Sequence, residues 1–478
     1  MTGFRRRLLL FFLLVAPPTL LYAKPTGWEG GGNKYVRKQQ PVPHRSPVVL
    51  IPGDGGSQLE AKLNKPSSPH YFCDKTTEDY FDLWLNIELL LPYVLDCWVD
   101  NMKLLYHKEN NTVSNNVGVD IRVPGFGDTE TVEWLDVSHA SISSYFTNIA
   151  EALVKAGYTR GVALRGAPYD FRMSHVSLYC VNPWFGCFFV CFSPFSKPLW
   201  FNPHRLNLGL LFIGLLFNLL ILFSPDRRDV DFPMFKQLIE ETYYKNNNSR
   251  VVLVTHSMGG PYGLLFLNNM DQPWKDKFIK SMVTLAGPWG GAAKTLRLYI
   301  SGDNLGIYVV NPLSLRPEQR SFPSSAWMMP SPLLWDTNEP LVFTPDRNYT
   351  IGDYAALFDD LEYEQGWLMR KDVEGLIGDL TPPGVTVHCL HGNKVKTPHQ
   401  FSYTAKEFPD LQPTVIYGDG DGTVNLNSAR GCLRWRDQQK QPVFYKTFEG
   451  AEHMKILANQ TVIEYIKDVV FSPDVSDL

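Results

Sequence analysis

The stretch RVVLVTHSMGGPYGL, residues 250–264, decides how the rest of this chain is interpreted. The run Val251–Val254 is apolar and β-branched, which predicts a short buried strand. Ser257 and Gly259 come next, and the apolar residues after them have helical spacing. A strand that turns sharply into a helix with a serine at the turn is a nucleophile elbow. Because Thr255 stands where the usual motif has glycine, an ordinary serine at a strand–helix junction stays open as the alternative.

The composition indicates a globular chain. Its 478 residues are 44% hydrophobic and 20% charged, which suits one large domain or two to three smaller ones. The net charge of −4 gives no indication of nucleic-acid binding. The aromatic content of 13% fits an apolar ligand or a membrane surface, but it also fits a large core.

The first 23 residues are predicted to be a secretory signal peptide. Three arginines precede the apolar run Leu8–Val15, and the small residue Ala23 suits a cleavage site. An uncleaved membrane anchor is the alternative. Residues 24–45 are predicted to be a flexible lead-in, and residues 46–478 the folded domain.

Export would make glycosylation and disulfide formation possible. Sequons of the form N-x-[ST] begin at Asn110, Asn247, Asn348 and Asn459, and we predict glycosylation there.

The chain has seven cysteines, so at least one lacks an intramolecular partner if all are retained. Spacing does not fix connectivity, and we predict that neighbours pair as Cys73–Cys97 and Cys389–Cys432. The other three lie at 180–191. Because no CxxC or His/Cys cluster has zinc-like spacing, we predict neither a metal nor a cofactor.

An early strand and glycine-rich turn suggest where an oxyanion would be stabilised. The strand Val48–Ile51 is followed by PGDGG at 52–56. In a nucleophile-elbow enzyme, one backbone N–H comes from such a loop and another from the residue after the nucleophile. We therefore predict an oxyanion hole formed by the backbone N–H groups of Asp54 and Met258. A phosphate-cradling loop is the alternative, but the chain has no GK[ST] here.

The segment 73–97 combines two cysteines with many apolar residues. It is too short and too acidic in its first half to span a bilayer. We predict a disulfide-tied element that dips into a lipid surface, and a helix packed on the core is the alternative. The predicted membrane-contacting residues are Trp84, Leu85, Leu89, Leu90 and Leu91.

Strands and helices alternate through much of the chain. Val119–Val123 is a predicted strand, 145–156 a predicted helix and 161–164 a second predicted strand. Such alternation predicts an α/β fold with a mostly parallel sheet. Residues 292–385 lose the alternation, and we predict a cap or lid over the site there.

The segment 173–225 does not fit this pattern. It holds 18 consecutive uncharged residues, LNLGLLFIGLLFNLLILF, at 206–223. A membrane span directly before the elbow strand would interrupt the sheet. We predict that the segment is non-coding sequence translated in the gene model, such as a retained intron. A buried or interfacial helix and a real span are the alternatives.

An acid and a histidine complete a catalytic pattern. Asp421 lies in GDGDGTV, directly after a predicted strand, and His453 follows another strand near the C-terminus. The order Ser257, Asp421, His453 is that of the α/β-hydrolases. His453 would take the proton from Ser257, and Asp421 would orient the imidazole. A calcium loop at 418–424 and a surface histidine at 453 are the alternatives, but the loop has no glutamate at EF-hand spacing.

Several long motifs resemble the lecithin:cholesterol acyltransferase family. They are PGDGGSQLEAKLNKP (52–66), TEDYFDLWLNIELLLP (77–92), DCWVDN (96–101), RGAPYDFR (165–172), THSMGG (255–260), AGPWGGAAKTLR (286–297), GWLMRKDVEGL (366–376), GDGDGTVN (418–425) and GAEHMKILAN (450–459). The resemblance covers about residues 46–172 and 226–470, and the family has nothing like 173–225. The glycines Gly260 and Gly263 and the proline between them depart from its usual bulkier residues.

The resemblance implies an α/β-hydrolase fold with a cap and a membrane-contacting element at 73–97. It also implies a phospholipase A and O-acyltransferase that forms an acyl-serine on glycerophospholipids at a membrane or lipoprotein surface. Water or a lipid alcohol such as ceramide would accept the acyl group. Asp54 favours the lysosomal branch, which works at acidic pH, over the secreted branch, which looks to carry cysteine there.

Two other functions stay open at this stage. The first is a secreted phosphatidylcholine-sterol acyltransferase with the same triad and a different acceptor. The second is an inactive, membrane-anchored lipid-binding protein whose fold is disrupted by 173–225.

Overall fold

The computed structural model describes residues 45–173, 178–179, 228–307 and 309–473. The predicted signal peptide at 1–23 and the predicted lead-in at 24–45, apart from Arg45, lie outside the described residues. The same holds for the predicted insert at 173–225, apart from Met173 and the backbone of Leu178–Tyr179.

The described elements comprise strands, α-helices and 3₁₀ helices. The strands are β1 Val48–Ile51, β2 Leu59–Leu63, β3 Phe81–Trp84, β4 Leu104–His107, β5 Thr112–Asn115, β6 Val119–Arg122, β7 Leu164–Gly166, β8 Leu178–Tyr179, β9 Val251–His256, β10 Ile279–Leu285, β11 Val342–Phe343, β12 Asn348–Tyr349, β13 Thr386–Asn393, β14 Val395–Ser402, β15 Thr414–Gly420 and β16 Val443–Glu449. The α-helices are α1 Leu95–Met102, α2 Glu130–Glu133, α3 Thr147–Lys155, α4 Arg228–Lys245, α5 Gly259–Asn268, α6 Gln272–Phe278, α7 Lys294–Ser301, α8 Pro312–Gln319, α9 Pro323–Trp327, α10 Tyr354–Asp360, α11 Glu364–Val373, α12 Leu426–Ala429 and α13 Gln460–Phe471. The 3₁₀ helices are Ile87–Leu90, Ser141–Ser143, Ile351–Asp353, Arg430–Asp437 and Lys455–Ala458.

A six-stranded sheet in the order β16-β13-β10-β9-β1-β7 forms the centre of the fold. Every strand pair in it is parallel, which confirms the predicted α/β-hydrolase class. All six residues of β9 are buried, as expected for a strand covered on both faces. This explains why its sequence is a continuous apolar run rather than an alternating one.

The two faces of the sheet contribute to two separate apolar cores. Val49, Ile51 and Leu253 pack into one core together with residues of α4 and α5. Val48 and Leu50 point to the other face and pack with residues of α3 and α13. The sheet is therefore a sandwiched layer, and its strand ends are where loops can build a site.

Two predicted strands do not join this sheet. β6 pairs antiparallel with β2, and β15 pairs antiparallel with β14 in a separate four-stranded sheet. The prediction that the strand near 119 contributes to the parallel sheet was therefore wrong. The physical reason is exposure, since β6 and β15 each have solvent-exposed residues, whereas the strands of a covered parallel sheet are buried on both faces.

Both predicted disulfides are confirmed. Cys73–Cys97 joins the segment before β3 to α1, and Cys389–Cys432 joins β13 to the 3₁₀ helix Arg430–Asp437. They close loops whose ends lie 24 and 43 residues apart, so each reduces the conformational freedom of the unfolded chain.

The predicted cap at 292–385 contains α7 to α11 and the short strands β11 and β12. It is tied to the N-terminal half of the chain. The hydroxyl of Ser324 donates to the carbonyl of Arg172, the backbone N–H of Leu104 donates to Ser321, and the hydroxyl of Tyr106 donates to Asp372. That this region acts as a lid stays a prediction.

The four sequons differ in exposure. Asn247 and Asn348 are exposed, whereas Asn110 and Asn459 are half-buried. The side-chain oxygens of the latter two accept hydrogen bonds, from Thr112 and from the first turn of α13 respectively. Glycosylation at the four sequons stays a prediction.

Within the described ranges, no helix has the length and apolar character needed to cross a bilayer. In the same part of the chain, no group of three or more His, Cys, Asp or Glu side chains is arranged to hold a metal ion.

Candidate active site

Ser257 lies in a strained turn between β9 and α5. Its φ is +52°, a left-handed conformation that non-glycine residues rarely adopt. The backbone N–H of Ser257 donates to the carbonyl of Leu285 at the end of β10 (2.9 Å), which fixes the turn to the neighbouring strand. This is the geometry of a nucleophile elbow.

Two glycines allow the elbow to touch the end of β1. A Cβ atom on Gly53 would lie 2.6 Å from Ser257 Cβ, and a Cβ atom on Gly259 would collide with the carbonyl oxygens of Ile51 and Pro52. Both positions therefore exclude any side chain. The close approach arises because β1 and β9 are neighbouring parallel strands that end at the same edge of the sheet.

The three residues predicted as a triad lie in hydrogen-bond contact. His453 Nε2 is 2.9 Å from Ser257 Oγ, and His453 Nδ1 is 2.8 Å from Asp421 Oδ2. Since an ionised carboxylate can only accept, Nδ1 carries the proton in the neutral ring. Nε2 is then free to accept the proton of the Ser257 hydroxyl.

The Asp421 carboxylate is buried and accepts several hydrogen bonds from the protein. Its Oδ1 accepts the backbone N–H groups of Thr423 (3.0 Å) and Val424 (2.7 Å). Burial raises the pKa of Asp421, but the charge and hydrogen bond of His453 and these N–H groups outweigh it and lower the pKa overall. Asp421 is therefore held ionised, and its carboxylate orients the His453 ring through Nδ1.

The strands that carry Asp421 and His453 belong to different sheets. Asp421 follows β15 of the antiparallel sheet, whereas His453 follows β16 of the parallel sheet. The backbone N–H of His453 donates to the carbonyl of Asp421 (2.8 Å) and joins the two loops. Gly392 in β13 makes this possible, because a side chain there would collide with the carbonyl of Ala451.

The two backbone N–H groups predicted for the oxyanion hole have no acceptor among the described groups. Asp54 lies in the turn that follows Gly53, against the elbow, and Met258 directly follows Ser257. Unpaired N–H groups beside a serine hydroxyl are what a tetrahedral oxyanion requires. Their role in catalysis stays a prediction.

The carboxyl of Asp54 has an unusual electrostatic setting. Desolvation raises the pKa of Asp54 to about 6, and this outweighs the lowering by the charge of Lys294 and the N–H of Gly55. The residue is nevertheless exposed to solvent. The charge of Asp54 therefore changes near pH 6.

The sequence analysis did not identify Tyr145 and His256 as site residues. The hydroxyl of Tyr145 is 2.5 Å from His256 Nδ1 and accepts the backbone N–H of Gly53 (2.9 Å). His256 Nε2 is 3.0 Å from the carbonyl of His453. The position of His256 directly before the serine was a usable indication, but nothing in the sequence pointed to Tyr145, which is 111 residues away.

The predicted membrane contacts at 73–97 need correction. Leu90 is only 3% exposed and packs in the core, so the prediction that it contacts a membrane was wrong. Trp84 is half-buried, and its indole N–H donates to the carbonyl of Gly55 (2.8 Å) beside the predicted oxyanion hole. Leu85 and Leu89 are half-buried, and Leu91 is exposed. The 3₁₀ helix turns Leu90 inward, a direction that the apolar run by itself does not reveal.

Five large apolar side chains in and beside this element, Leu91 among them, are exposed. They are Tyr71, Phe72, Ile87, Leu91 and Tyr93, and Tyr71 is the most open at 98%. We call these five residues the apolar rim.

The unusual glycines of α5 pack against aromatic and sulfur-containing side chains. A Cβ atom on Gly260 would lie 3.2 Å from the ring of Trp289, and one on Gly263 would lie 2.9 Å from Met282 Cε and 3.5 Å from Thr255 Cγ2. Thr255 takes the place of the usual first glycine of the motif. Its methyl group lies beside Gly263, and the tight contact that a side chain at 263 would make is with Met282.

The comparison with known proteins agrees with this geometry. The family model described as lecithin:cholesterol acyltransferase matches residues 80–182 and 222–460. The unmatched residues 183–221 lie inside the segment predicted to be an insert.

Individual relatives cover most of the chain. It is 43% identical to the human lysosomal phospholipase A and acyltransferase over 433 residues, which is 91% of this chain and 92% of the human protein. The mouse protein of the same name gives the same identity and coverage. The chicken phosphatidylcholine-sterol acyltransferase is 38% identical over 87% of this chain and 88% of its own length.

The first prediction concerns the glycine contact of the elbow. Gly259→Ala places a methyl group against Pro52, and we expect overpacking to cost about 2 kcal/mol of unfolding free energy. We also expect Ser257 to react more slowly with a fluorophosphonate probe, because the elbow must shift. Gly375→Ala is the matched control, since no atom lies within 4 Å of that position. Equal labelling rates for the two variants would contradict this view of the elbow.

The second prediction concerns Asp54. Above about pH 6 its carboxylate is ionised and places a negative charge beside the predicted oxyanion site. We expect the rate of ester cleavage to fall as the pH rises through 6, and Asp54→Asn to keep its rate up to neutral pH. Asp82→Asn is the control. Desolvation, followed by the charges of Asp136 and Glu60, raises the pKa of Asp82 to about 7, so this carboxyl also titrates in the same pH range. Identical pH profiles for the wild type and Asp54→Asn would refute this role.

Proposed function

Because the chain belongs to the lecithin:cholesterol acyltransferase family, we propose that it is a serine phospholipase A and lipid O-acyltransferase. The observation that carries the proposal is the hydrogen-bonded series Asp421, His453, Ser257 beside two unpaired backbone N–H groups. The family membership supplies the substrate class, and the series supplies the chemistry.

The reaction begins with acylation of the enzyme. His453 Nε2 takes the proton from Ser257 as Oγ attacks the ester carbonyl of a glycerophospholipid. The N–H groups of Asp54 and Met258 stabilise the oxyanion of the tetrahedral intermediate, a contribution worth about 3 kcal/mol per donor. The intermediate collapses, His453 gives its proton to the leaving lysophospholipid oxygen, and an acyl-serine remains.

The second half transfers the acyl group. His453 takes a proton from water or from the hydroxyl of a lipid alcohol such as ceramide, whose oxygen attacks the acyl-serine. Collapse of the second intermediate returns the proton to Ser257 Oγ. Water yields a fatty acid, and a lipid alcohol yields an ester, so the acceptor decides between hydrolysis and transfer.

Two observations support ceramide as the acceptor and an acidic compartment as the location. Identity is higher to the human lysosomal enzyme, at 43%, than to the chicken sterol acyltransferase, at 38%. Asp54, with its pKa raised to about 6, suits an enzyme that works at acidic pH. The proposed location is the secretory pathway with the lysosome as its destination. Cholesterol as acceptor, with secretion from the cell, is the second candidate.

The substrate is presented by a membrane or lipoprotein surface in this proposal. The apolar rim is exposed on an element that is tied by a disulfide and contacts the oxyanion loop through Trp84. Tyrosine and aliphatic side chains of this kind are favourable at a lipid interface. Peripheral binding through the rim would place the active-site cleft next to the lipid.

A liposome assay tests the proposal. Purified protein is incubated with phosphatidylcholine vesicles that contain either ceramide or cholesterol, at pH 4.5 and pH 7.4. We expect fatty acid and acyl-ceramide at the acidic pH, and a rate at least 1,000-fold lower for Ser257→Ala. Cholesteryl ester at neutral pH would favour the second candidate, and full activity of Ser257→Ala would refute the mechanism.

The same assay addresses the unmatched residues 183–221. An inactive full chain whose activity returns when these residues are deleted would support the reading of 173–225 as a translated intron. An inactive deletion variant that still binds the vesicles would favour the lipid-binding alternative.

A membrane-binding experiment tests the apolar rim. We expect the double variant Ile87→Asp and Leu91→Asp to reduce sedimentation with vesicles about tenfold or more, because two exposed apolar contacts are replaced by charges. Cleavage of a water-soluble ester should be unchanged. Ile416→Asp is the matched control, as Ile416 is similarly exposed but lies on β15. Equal loss of binding in the control would show that the rim is not the docking surface.

A further inference from the structure

A buried series of hydrogen bonds connects the oxyanion loop to the histidine loop. It runs from the backbone N–H of Gly53 to the hydroxyl of Tyr145 (2.9 Å), from there to His256 Nδ1 (2.5 Å), and from His256 Nε2 to the carbonyl of His453 (3.0 Å). Tyr145 is 2% exposed, and His256 is not exposed at all.

The donors and acceptors of this series can be assigned from chemistry. A carbonyl oxygen only accepts, so His256 Nε2 carries the proton and donates to His453. Nδ1 of the neutral ring is then an acceptor, and the Tyr145 hydroxyl must donate to it. The lone pair of the same hydroxyl accepts the N–H of Gly53. The Tyr145 hydroxyl thus donates once and accepts once, and no other arrangement satisfies all three contacts with a neutral ring.

The surroundings keep His256 neutral. Desolvation, together with the neighbouring His453, lowers the pKa of His256 to about 3. Protonation would put a hydrogen on Nδ1 and break the contact in which Tyr145 donates. The series therefore stays intact at the acidic pH at which the proposed reaction runs.

The glycine-rich turn at 52–56, the oxyanion loop, packs closely against Tyr145. A Cβ atom on Gly56 would lie 2.7 Å from Tyr145 Cζ and 2.9 Å from its hydroxyl oxygen. The backbone of Tyr145 is fixed from the other side by its N–H bond to the carbonyl of Glu133 (2.8 Å). The ring thus reaches the loop from an anchored position.

We propose that Tyr145 and His256 are positioning residues that hold the Asp54 N–H and the His453 imidazole at one fixed separation. Because the Gly53 N–H donates to Tyr145, the N–H of the next residue, Asp54, is the one that remains to bind the oxyanion. Because His256 binds the backbone carbonyl of His453, the loop that carries the imidazole is fixed in place beside the elbow. The inference rests on the proposed acyl transfer at Ser257.

Kinetics of Tyr145→Phe test the proposal. Phenylalanine keeps the ring but removes the hydroxyl, so the Gly53 and His256 contacts are both lost. We expect kcat on a soluble ester to fall about 10- to 100-fold with KM within about twofold of wild type, as for a misplaced catalytic group. His256→Leu should cost about as much, and the double variant should cost no more than either single variant.

Two further variants separate positioning from general stability. Tyr158→Phe removes another buried hydroxyl, one that donates to the carbonyl of Ser46 (2.7 Å) away from the site. It should lower the melting temperature about as much as Tyr145→Phe but leave kcat unchanged. His256→Gln offers one donor and one acceptor, and it should restore most of the activity lost in His256→Leu. Equal kcat for Tyr145→Phe and Tyr158→Phe would overturn the proposal.

A spectroscopic measurement needs no variant. In protein labelled with ¹⁵N-histidine, the His256 ring should show the neutral form with hydrogen on Nε2 from pH 4.5 to pH 7.5. Titration of that ring near 6.5 would overturn the proposal. Failure of the proposed function is distinguishable, because it would appear as an active Ser257→Ala, whereas an inactive Ser257→Ala with a fully active Tyr145→Phe would remove only the positioning role.

Discussion

The close approach of two neighbouring strand ends is the constraint on which the rest of the site depends. Pro52-Gly53 follows β1 and the elbow at Ser257 follows β9, and there is no space for a side chain at Gly53 or Gly259. This contact brings the turn that carries Asp54 against the elbow that carries Met258. It also explains why the turn tolerates a positive φ at Ser257, since the surrounding hydrogen bonds over-determine the conformation.

Hydrogen bonds then fix the protonation state of each ring around the serine. The carboxylate of Asp421 assigns the proton of His453 to Nδ1, and the carbonyl of His453 assigns the proton of His256 to Nε2. The two histidines lie with ring centroids 4.8 Å apart, yet they are held in opposite tautomers for different purposes. One ring is left free to accept a proton from Ser257, and the other has no free nitrogen.

Ionisable groups with shifted pKa values give the fold opposing responses to acid. The pKa values of Asp54 and Asp82 are raised to about 6 and about 7, so their contribution to stability is complete below their ordinary value of 3.8 and is lost as the pH rises through 6 to 7. The pKa values of His256 and His388 are lowered to about 3 and about 4. Their unfolded forms take up protons near 6.5, so stability is lost as the pH falls below that value. The two effects partly cancel between pH 4 and 6.5.

The sequence by itself determined the features of this protein that depend on local patterns. The continuous apolar run before Ser257 predicted a covered parallel strand, the glycines after β1 predicted a tight loop, and the chain order of Ser257, Asp421 and His453 predicted their assembly. Neighbouring cysteines also gave the correct pairing. These features depend on spacing along the chain or on single residue types, and for that reason they can be predicted from the sequence alone.

Only the tertiary structure decided which strands share a sheet, which apolar side chains face outward and which distant groups meet. The strand before Asp421 joins an antiparallel sheet, Leu90 turns into the core, and Tyr145 reaches His256 across 111 residues. Each outcome follows from packing between segments far apart in sequence, and a local pattern carries no information about its partner. His256, next to the nucleophile, is evident in the sequence. The role that we propose for it depends on Tyr145, which only folding brings beside it.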